Sequence, residues 1–455
     1  MRGNRYLKVA RRAKARRLVN RFASGLDAVK DEAAVPFTSA AKYTNFRVSK
    51  GVLTDGWGIE RHVGYAEKEN VAAVWEYSAF SGGVRKSIPM YCDDGGVVHI
   101  SENGEDRAVE GAVFTSAPVA IDYRLYGEDV CLICSPTDGM AVFDGESLRK
   151  IEPSPRITSM TLHYERLFVT SANESDCVRF SDDLDPTNWA EGLESGGFIR
   201  LADGYGRCNR VLSFLNYVYI FRDYGISRMI AYADQTEFSV SNLYVSSGRI
   251  YADTVAVCGD KVIFLASDGL YAFDGLETVR LKPSLGTLTD FKNGAKATYF
   301  EGKYFLAYGV SGEENDSLLV YDLATREAEL SSGFKIDAFA CGVDLAAISD
   351  GRVVRITPCG SAFGAATKKI WRVPFGSLSS PDSSKKVEKI SLETATDLTL
   401  TVYYDGKSRE VHVRKKEGVQ DVKVGVRGKK IGLQIECTAV GTRVADISIV
   451  TSAVF

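Results

Sequence analysis

The chain has 455 residues, 45% hydrophobic and 25% charged, a balance that excludes a disordered, collagen-like or coiled-coil protein. Forty-two Gly, 22 Tyr and 22 Phe, against five Met and four His, favour short strands joined by tight turns and leave little material for imidazole-based metal or acid–base chemistry. The net charge of −3 hides an asymmetry: of 56 Lys and Arg, nine lie in residues 1–25 with no acid among them, so the remainder carries 47 basic against 59 acidic residues.

Residues 5–23, rich in Ala, Arg and Lys and free of Pro and Gly, predict a helix within a basic N-terminal arm, residues 1–25. Its apolar positions fall on two opposite arcs, Tyr6, Val9, Ala10 and Ala13 against Ala15, Leu18, Val19 and Phe22, which suits contact with two protein surfaces better than a membrane. The candidate partner-binding residues are its nine cations: Arg2, Arg5, Lys8, Arg11, Arg12, Lys14, Arg16, Arg17 and Arg21. With only Tyr6 and Phe22 as aromatics, any contact with DNA would be to phosphate rather than by base stacking. The arm has no uninterrupted apolar segment after its charges, and the chain has no run of about 18 apolar residues, so the expectation is synthesis in the cytoplasm and no membrane partner.

A repeat organises residues 40–367. Asp138-Gly139-Met140-Ala141-Val142-Phe143-Asp144-Gly145 recurs as Asp268-Gly269-Leu270-Tyr271-Ala272-Phe273-Asp274-Gly275. Weaker relatives mark Gly96, Gly225, Leu318 and Gly351, and Ser181-Asp182-Asp183 fills the one gap. Hairpin-like segments at residues 162–169, 211–220, 256–264 and 297–306 precede most markers, with turn-formers flanked by aromatic or β-branched residues. A period of about 40–45 residues built of strands predicts a β-propeller of six or seven four-stranded blades; a pair of β-sandwiches is the alternative. From residue 368 the period stops. Strands at 387–392, 398–404, 410–414, 422–426, 430–436 and 445–451 predict a C-terminal β-sandwich, residues 368–455, after a serine-rich segment at 377–386. The fold class is therefore all-β.

No residue pattern demands catalysis or a cofactor. Cys131 and Cys134 have half a zinc spacing, but three residues along a strand send the thiols to opposite faces, and no second half exists. Nine scattered cysteines fit reduced, buried thiols rather than a disulfide framework. The Asp-Gly pairs are turn chemistry, the carboxylate bonding backbone two residues on. His62, His99, His163 and His412 are isolated in sequence.

The run Phe180-Ser181-Asp182-Asp183-Leu184-Asp185-Pro186-Thr187-Asn188-Trp189, the following Gly197-Phe198-Ile199-Arg200-Leu201 and the 268–275 repeat together resemble propeller-bearing virion structural proteins of tailed bacteriophages. Trp371, Lys385-Lys386, Asp405-Gly406 and Arg427-Gly428 resemble landmarks of their C-terminal domain. The resemblance implies a virion protein without catalytic residues: a head–tail or tail adaptor, hub or stabilization protein, contacting portal, adaptor or tail subunits as a symmetric oligomer. The basic arm departs from that pattern. The competing expectations are a carbohydrate-binding, receptor-recognising propeller and a propeller glycosidase, which needs two facing carboxylates.

Overall fold

The computed structural model describes the chain except for residues 1–15, 21, 23–24, 28–37, 82, 103, 194, 233, 286–293, 310–313, 342–343, 377–382 and 454–455. Among the described residues the regular structure is antiparallel β-sheet with a few 3-10 turns. The chain divides into two compact units, one spanning Gly58–Thr357 with Ala362–Gly364, the other formed by Met1–Trp57, Pro358–Ser361 and Ala365–Phe455.

The first unit contains seven successive sheets with a four-stranded antiparallel meander in each. Six are continuous in sequence and begin with the strands Val71–Ser81, Val119–Leu125, Ile157–His163, Cys208–Phe214, Ala256–Cys258 and Lys296–Phe300. The seventh is assembled from both ends of the unit. Ala338–Cys341, Leu345–Ser349 and Arg352–Thr357 are completed by Gly58–Arg61, which pairs antiparallel to the last of them from Val354↔Arg61 to Thr357↔Gly58. The first strand of each sheet packs against its counterpart in the next, and the first strand of the seventh packs against Val71–Ser81 of the first. Apolar clusters fill the spaces between sheets. Trp75, Met90 and Ile133 lie between the first and second, and Tyr65, Val74, Tyr91 and Ile348 between the first and seventh.

The repeat read from sequence marks the third strand of each sheet. Gly139–Phe143 and Gly269–Phe273 are the third strands of the second and fifth sheets, and the remaining markers border or begin the others. Glycine is obligatory at two of them. Gly96 (φ 83°) and Gly351 (φ 72°) lie so close to passing backbone that a Cβ would stand 1.8 Å from the Phe114 carbonyl oxygen and 2.2 Å from that of Glu69.

Asp138 shows the turn chemistry of this repeat. Its carboxylate accepts from the Thr115 backbone N–H (2.8 Å) and from the hydroxyls of Ser135 (2.8 Å) and Thr137 (2.7 Å). Burial acts to raise its pKa, but these donors outweigh burial and hold it at about 2, against an ordinary 3.8. A folded value below the unfolded one contributes stability that is full above the unfolded pKa and lost as pH falls from about 4 to about 2. Asp138→Asn should therefore flatten the acid-unfolding curve across that window; a curve identical to the parent's would refute the assignment.

The second unit holds two antiparallel sheets. One contains Phe46–Ser49, Val52–Asp55, Arg443–Ala453, Lys385–Thr394 and Lys416–Gly428; the other contains Lys42–Thr44, Lys369–Gly376, Ile431–Cys437, Leu398–Tyr404 and Lys407–Val413. Buried Ile390, Leu392, Leu400, Leu433, Ile435 and Ile449 alternate with exposed or half-buried residues along these strands. Three strands before residue 57 belong to this unit, so the chain divides at Trp57/Gly58 rather than at residue 40. The cause is main-chain pairing, Tyr43 opposite Trp371 and Leu53 opposite Val444.

The expected N-terminal helix is corrected where the chain is described. Arg16–Val19 is a strand, antiparallel to Ser448–Thr451, continued by the Asn20 N–H donating to the Ile447 carbonyl at 3.0 Å. Phe22 is buried edge-on against Trp371, ring centroids 4.8 Å apart. A free sheet edge offering backbone partners, and an aromatic slot for Phe22, override the local helix propensity of an Ala/Arg-rich segment.

Candidate interaction surface

Of the nine cations expected to bind a partner, Arg2, Arg5, Lys8, Arg11, Arg12, Lys14 and Arg21 lie outside the described residues. The backbone of Arg16 pairs with Thr451, and Arg17, exposed on the same strand, donates from Nε to the Ser448 hydroxyl at 3.0 Å.

The groups capable of chemistry are mostly tied into the fold. Cys131 and Cys134 face opposite sides of their strand, one in the core between the first and second sheets, the other between the second and third, and burial pushes both thiols up. Sequence gave no hint that His99 is in a network. Its ring stacks on Tyr91 at 4.7 Å, Nε2 lies 3.0 Å from Asp93, Nδ1 lies 3.2 Å from Asp106, and the Tyr91 hydroxyl donates to Asp106 at 2.9 Å. These residues sit on three neighbouring strands of the first sheet, so the network cross-links that sheet. His163 bonds the Ser213 hydroxyl at 2.8 Å, joining the third and fourth sheets, and burial lowers its pKa. Among the described residues no group of three or more His, Cys, Asp or Glu is placed to hold a metal ion, and no helix is long and apolar enough to cross a membrane.

A cavity of about 530 Å³ is lined by the first strands of the sheets of the seven-sheet unit, with the 3-10 turn Ala252–Thr254 contributing beside the fifth. Its lining is largely small and apolar, Ala72, Ala73, Ala120, Ala297 and Ala340 among it. The charged exceptions include Arg210 and the ion pair of Lys296 with Asp253 (2.5 Å). Burial lowers the pKa of Arg210 while Asp253 acts against that shift. Nothing here sets a nucleophile beside a base.

The unusual surface lies where the first-to-second and third-to-fourth strand turns of the second to fifth sheets meet. The first strands of the third and fourth sheets run side by side in the same direction: the Val211 N–H donates to the Ser159 hydroxyl at 3.2 Å and the Ser213 N–H to that of Thr161 at 3.0 Å. The turns therefore collect at one end. At three successive junctions, the first turn of one sheet meets the last loop of the next. The Tyr126 hydroxyl donates to Asp185, beside Leu184, at 2.8 Å. The ring of Tyr164 meets that of Tyr232 edge-on at 5.1 Å. A Cβ on Gly275, beside Leu276, would lie 3.2 Å from the Leu215 side chain.

All six apolar residues at these junctions, Tyr126, Leu184, Tyr164, Tyr232, Leu215 and Leu276, are between 53% and 80% exposed. Four of them also occupy left-handed backbone: Tyr126 (φ 49°), Tyr164 (φ 50°), Leu184 (φ 58°) and Leu215 (φ 46°). Bulky side chains rarely adopt this conformation, which costs about 1–2 kcal/mol per residue, and here they do so without the compensation of burial. Strain kept on exposed apolar tips is a mark of contact with something else.

Charge singles out the same surface. Its turns carry Glu128 and Asp129; Asp144 and Glu146; Glu165; Asp182, Asp183, Asp185 and Glu191; Asp234 and Glu237; Asp260; and Asp274 and Glu277. Segments 126–129, 144–147, 164–165, 182–191, 215–216, 232–237, 259–260 and 274–277 contain no Lys or Arg. Asp144 and Asp274 each accept two backbone N–H groups at 2.8 and 2.9 Å, which hold both carboxyls below their usual range. The result is an acidic field set with apolar tips.

No protein-family model matches the sequence, and no curated protein matches it. Among solved structures, the chain is similar to the computationally designed Ika8 protein, with a TM-score of 0.41 and 13% identity over 65% of this chain and 99% of that one. It is also similar to BBS1N, solved in complex with ARL6DN, with a TM-score of 0.43 and 11% identity over 69% of this chain and 97% of that one.

Proposed function

We propose that residues 58–357 form a seven-bladed β-propeller, that the second unit is a β-sandwich, and that the protein is a non-catalytic assembly scaffold. Two features support the propeller: the sheets contact one another in sequence order back to the first, and Gly58–Arg61 completes the last sheet. Such a ring is rigid because each blade buries its faces only against its neighbours. The scaffold role is carried by the acidic, apolar turn surface, which offers protein-contact chemistry and no catalytic constellation. The runs Phe180–Trp189 and Asp268–Gly275 tie this reading to tailed-bacteriophage virion proteins, so the proposed role is a head–tail or tail adaptor or hub, located in the virion and holding portal, adaptor or tail subunits in a symmetric assembly.

The test is incorporation. Deleting residues 1–25 should leave the seven-sheet unit folded by circular dichroism while the truncated chain is missing from purified particles. Particles of normal composition and infectivity carrying the truncated chain would sink the assignment, as would specific binding of the intact protein on a glycan array without any particle association.

A further inference from the structure

We propose that the acidic turn surface of the seven-sheet unit docks the basic amino-terminal segment, residues 2–14, of a second copy of this chain. The inference rests on the scaffold reading above and names one of its contacts. The two surfaces match in both respects that set partner choice. Residues 2–14 carry Arg2, Arg5, Lys8, Arg11, Arg12 and Lys14 with no acid, interleaved with Tyr6, Leu7 and Val9. The turn surface carries only acids among its charged turn residues, interleaved with Tyr126, Tyr164, Leu215 and their neighbours.

Carboxylates repel phosphate, so this surface is closed to nucleic acid and to anionic lipid, while a cationic, apolar peptide satisfies its charge and covers its tips. The segment is also anchored: Arg16 is paired with Thr451 at a sheet edge, and the 15 residues before it can extend at most about 50 Å. An arm retained by its own chain would cover the surface without linking subunits. An arm given to the next copy makes a head-to-tail contact, the kind that closes into a ring, as a scaffold requires.

The experiment uses full-length chains in sedimentation velocity. The parent should self-associate at about 50 mM NaCl and do so at least tenfold more weakly at about 500 mM. Two variants remove one half of the contact each: Tyr126→Asn, Tyr164→Asn and Leu215→Asn together on the surface, and Arg5→Glu, Arg11→Glu and Arg12→Glu together on the arm. Asn accepts left-handed backbone, so the surface variant should melt no lower than the parent, which separates lost docking from lost folding.

Each variant alone should stay monomeric. An equimolar mixture should form a one-to-one complex, since one intact arm then faces one intact surface. Association of the surface variant alone, a mixture that stays monomeric, or a parent monomeric at every concentration would overturn the proposal. Those results would leave the scaffold reading standing if deletion of residues 1–25 still blocks incorporation, and particles that assemble without the arm would remove that reading separately.

Discussion

Replacing Arg222 by Ala is expected to destabilise the seven-sheet unit by about 3–5 kcal/mol. The Arg222 side chain is wholly buried, and nearly every polar contact it makes is to a main-chain group or charge with no other buried partner. Its guanidinium donates from Nη2 to the carbonyls of Leu201 and Gly206, both at 2.9 Å, and from Nε to Gly206 at 3.3 Å. Nη1 lies 2.5 Å from Asp203, and the group stacks over Tyr205 at 5.5 Å. One side chain thus pins the whole connection between the third and fourth sheets. Truncation opens a large void and strands two carbonyls in it, and each unsatisfied buried group costs about 1–3 kcal/mol. Asp203→Asn should cost about 1 kcal/mol or less, because Asp203 is one-third exposed and solvent screens its half of the pair. Urea denaturation measures both; a loss below 1 kcal/mol for Arg222→Ala, or equal losses for the two variants, would show that the pair and not the carbonyl contacts dominates.

The second large effect belongs to the other unit. Asp55→Ala should cost about 3–5 kcal/mol there, because it leaves the fully buried Lys369 ammonium without its counter-charge. Asp55 lies 3.2 Å from Lys369 Nζ and also accepts the N–H groups of Gly441 (2.6 Å) and Thr442 (3.1 Å). It therefore fastens the strand Val52–Asp55 to both a buried charge and the turn before Arg443–Ala453. Lys369→Met should be milder, about 1–2 kcal/mol, because Asp55 keeps its two backbone donors while a flexible apolar chain fills the space. The order of the two variants is the decisive reading: a Lys369→Met chain less stable than Asp55→Ala would reverse the argument. Since Arg222 and Asp55 lie in different units, each variant should shift its own segment of the unfolding curve.

The repeat could be read from sequence because it is local. A turn, a strand of five or six residues and a second turn leave the same signature wherever they occur, so the seven third strands are marked by Gly96, Gly139, Ser181, Gly225, Gly269, Leu318 and Gly351 or their immediate neighbours. Strand Leu398–Tyr404 of the second unit was legible for the same reason. What escaped is set by contacts between distant residues. Lys42–Thr44 and Val52–Asp55 read as the start of the repeat but pair with strands more than 300 residues away. Arg16–Val19 has a helix-forming composition, and only the edge of Arg443–Ala453 makes it a strand. The turn surface was hidden differently. Tyr126, Tyr164 and Leu215 look like ordinary hairpin apolar residues until their exposure and positive φ are known, although the absence of Lys and Arg from the same turns was a signal in plain sight.

The way the seventh sheet is completed has a consequence for biosynthesis. Glu60 and Arg355, joined by an ion pair across that sheet, are 295 residues apart in the chain. At roughly 5–20 residues per second, the ribosome needs about 15–60 s to deliver the partner of Gly58–Arg61. For that interval the strand has emerged with its ladder groups unpaired, and the first sheet lacks the apolar neighbour it will have in the finished protein. The nascent chain is thus most vulnerable to edge-to-edge association just before translation passes Thr357. A ribosome stalled short of that point would hold a nearly complete but sticky product, and a chaperone that shields strand edges would act on this protein late in synthesis.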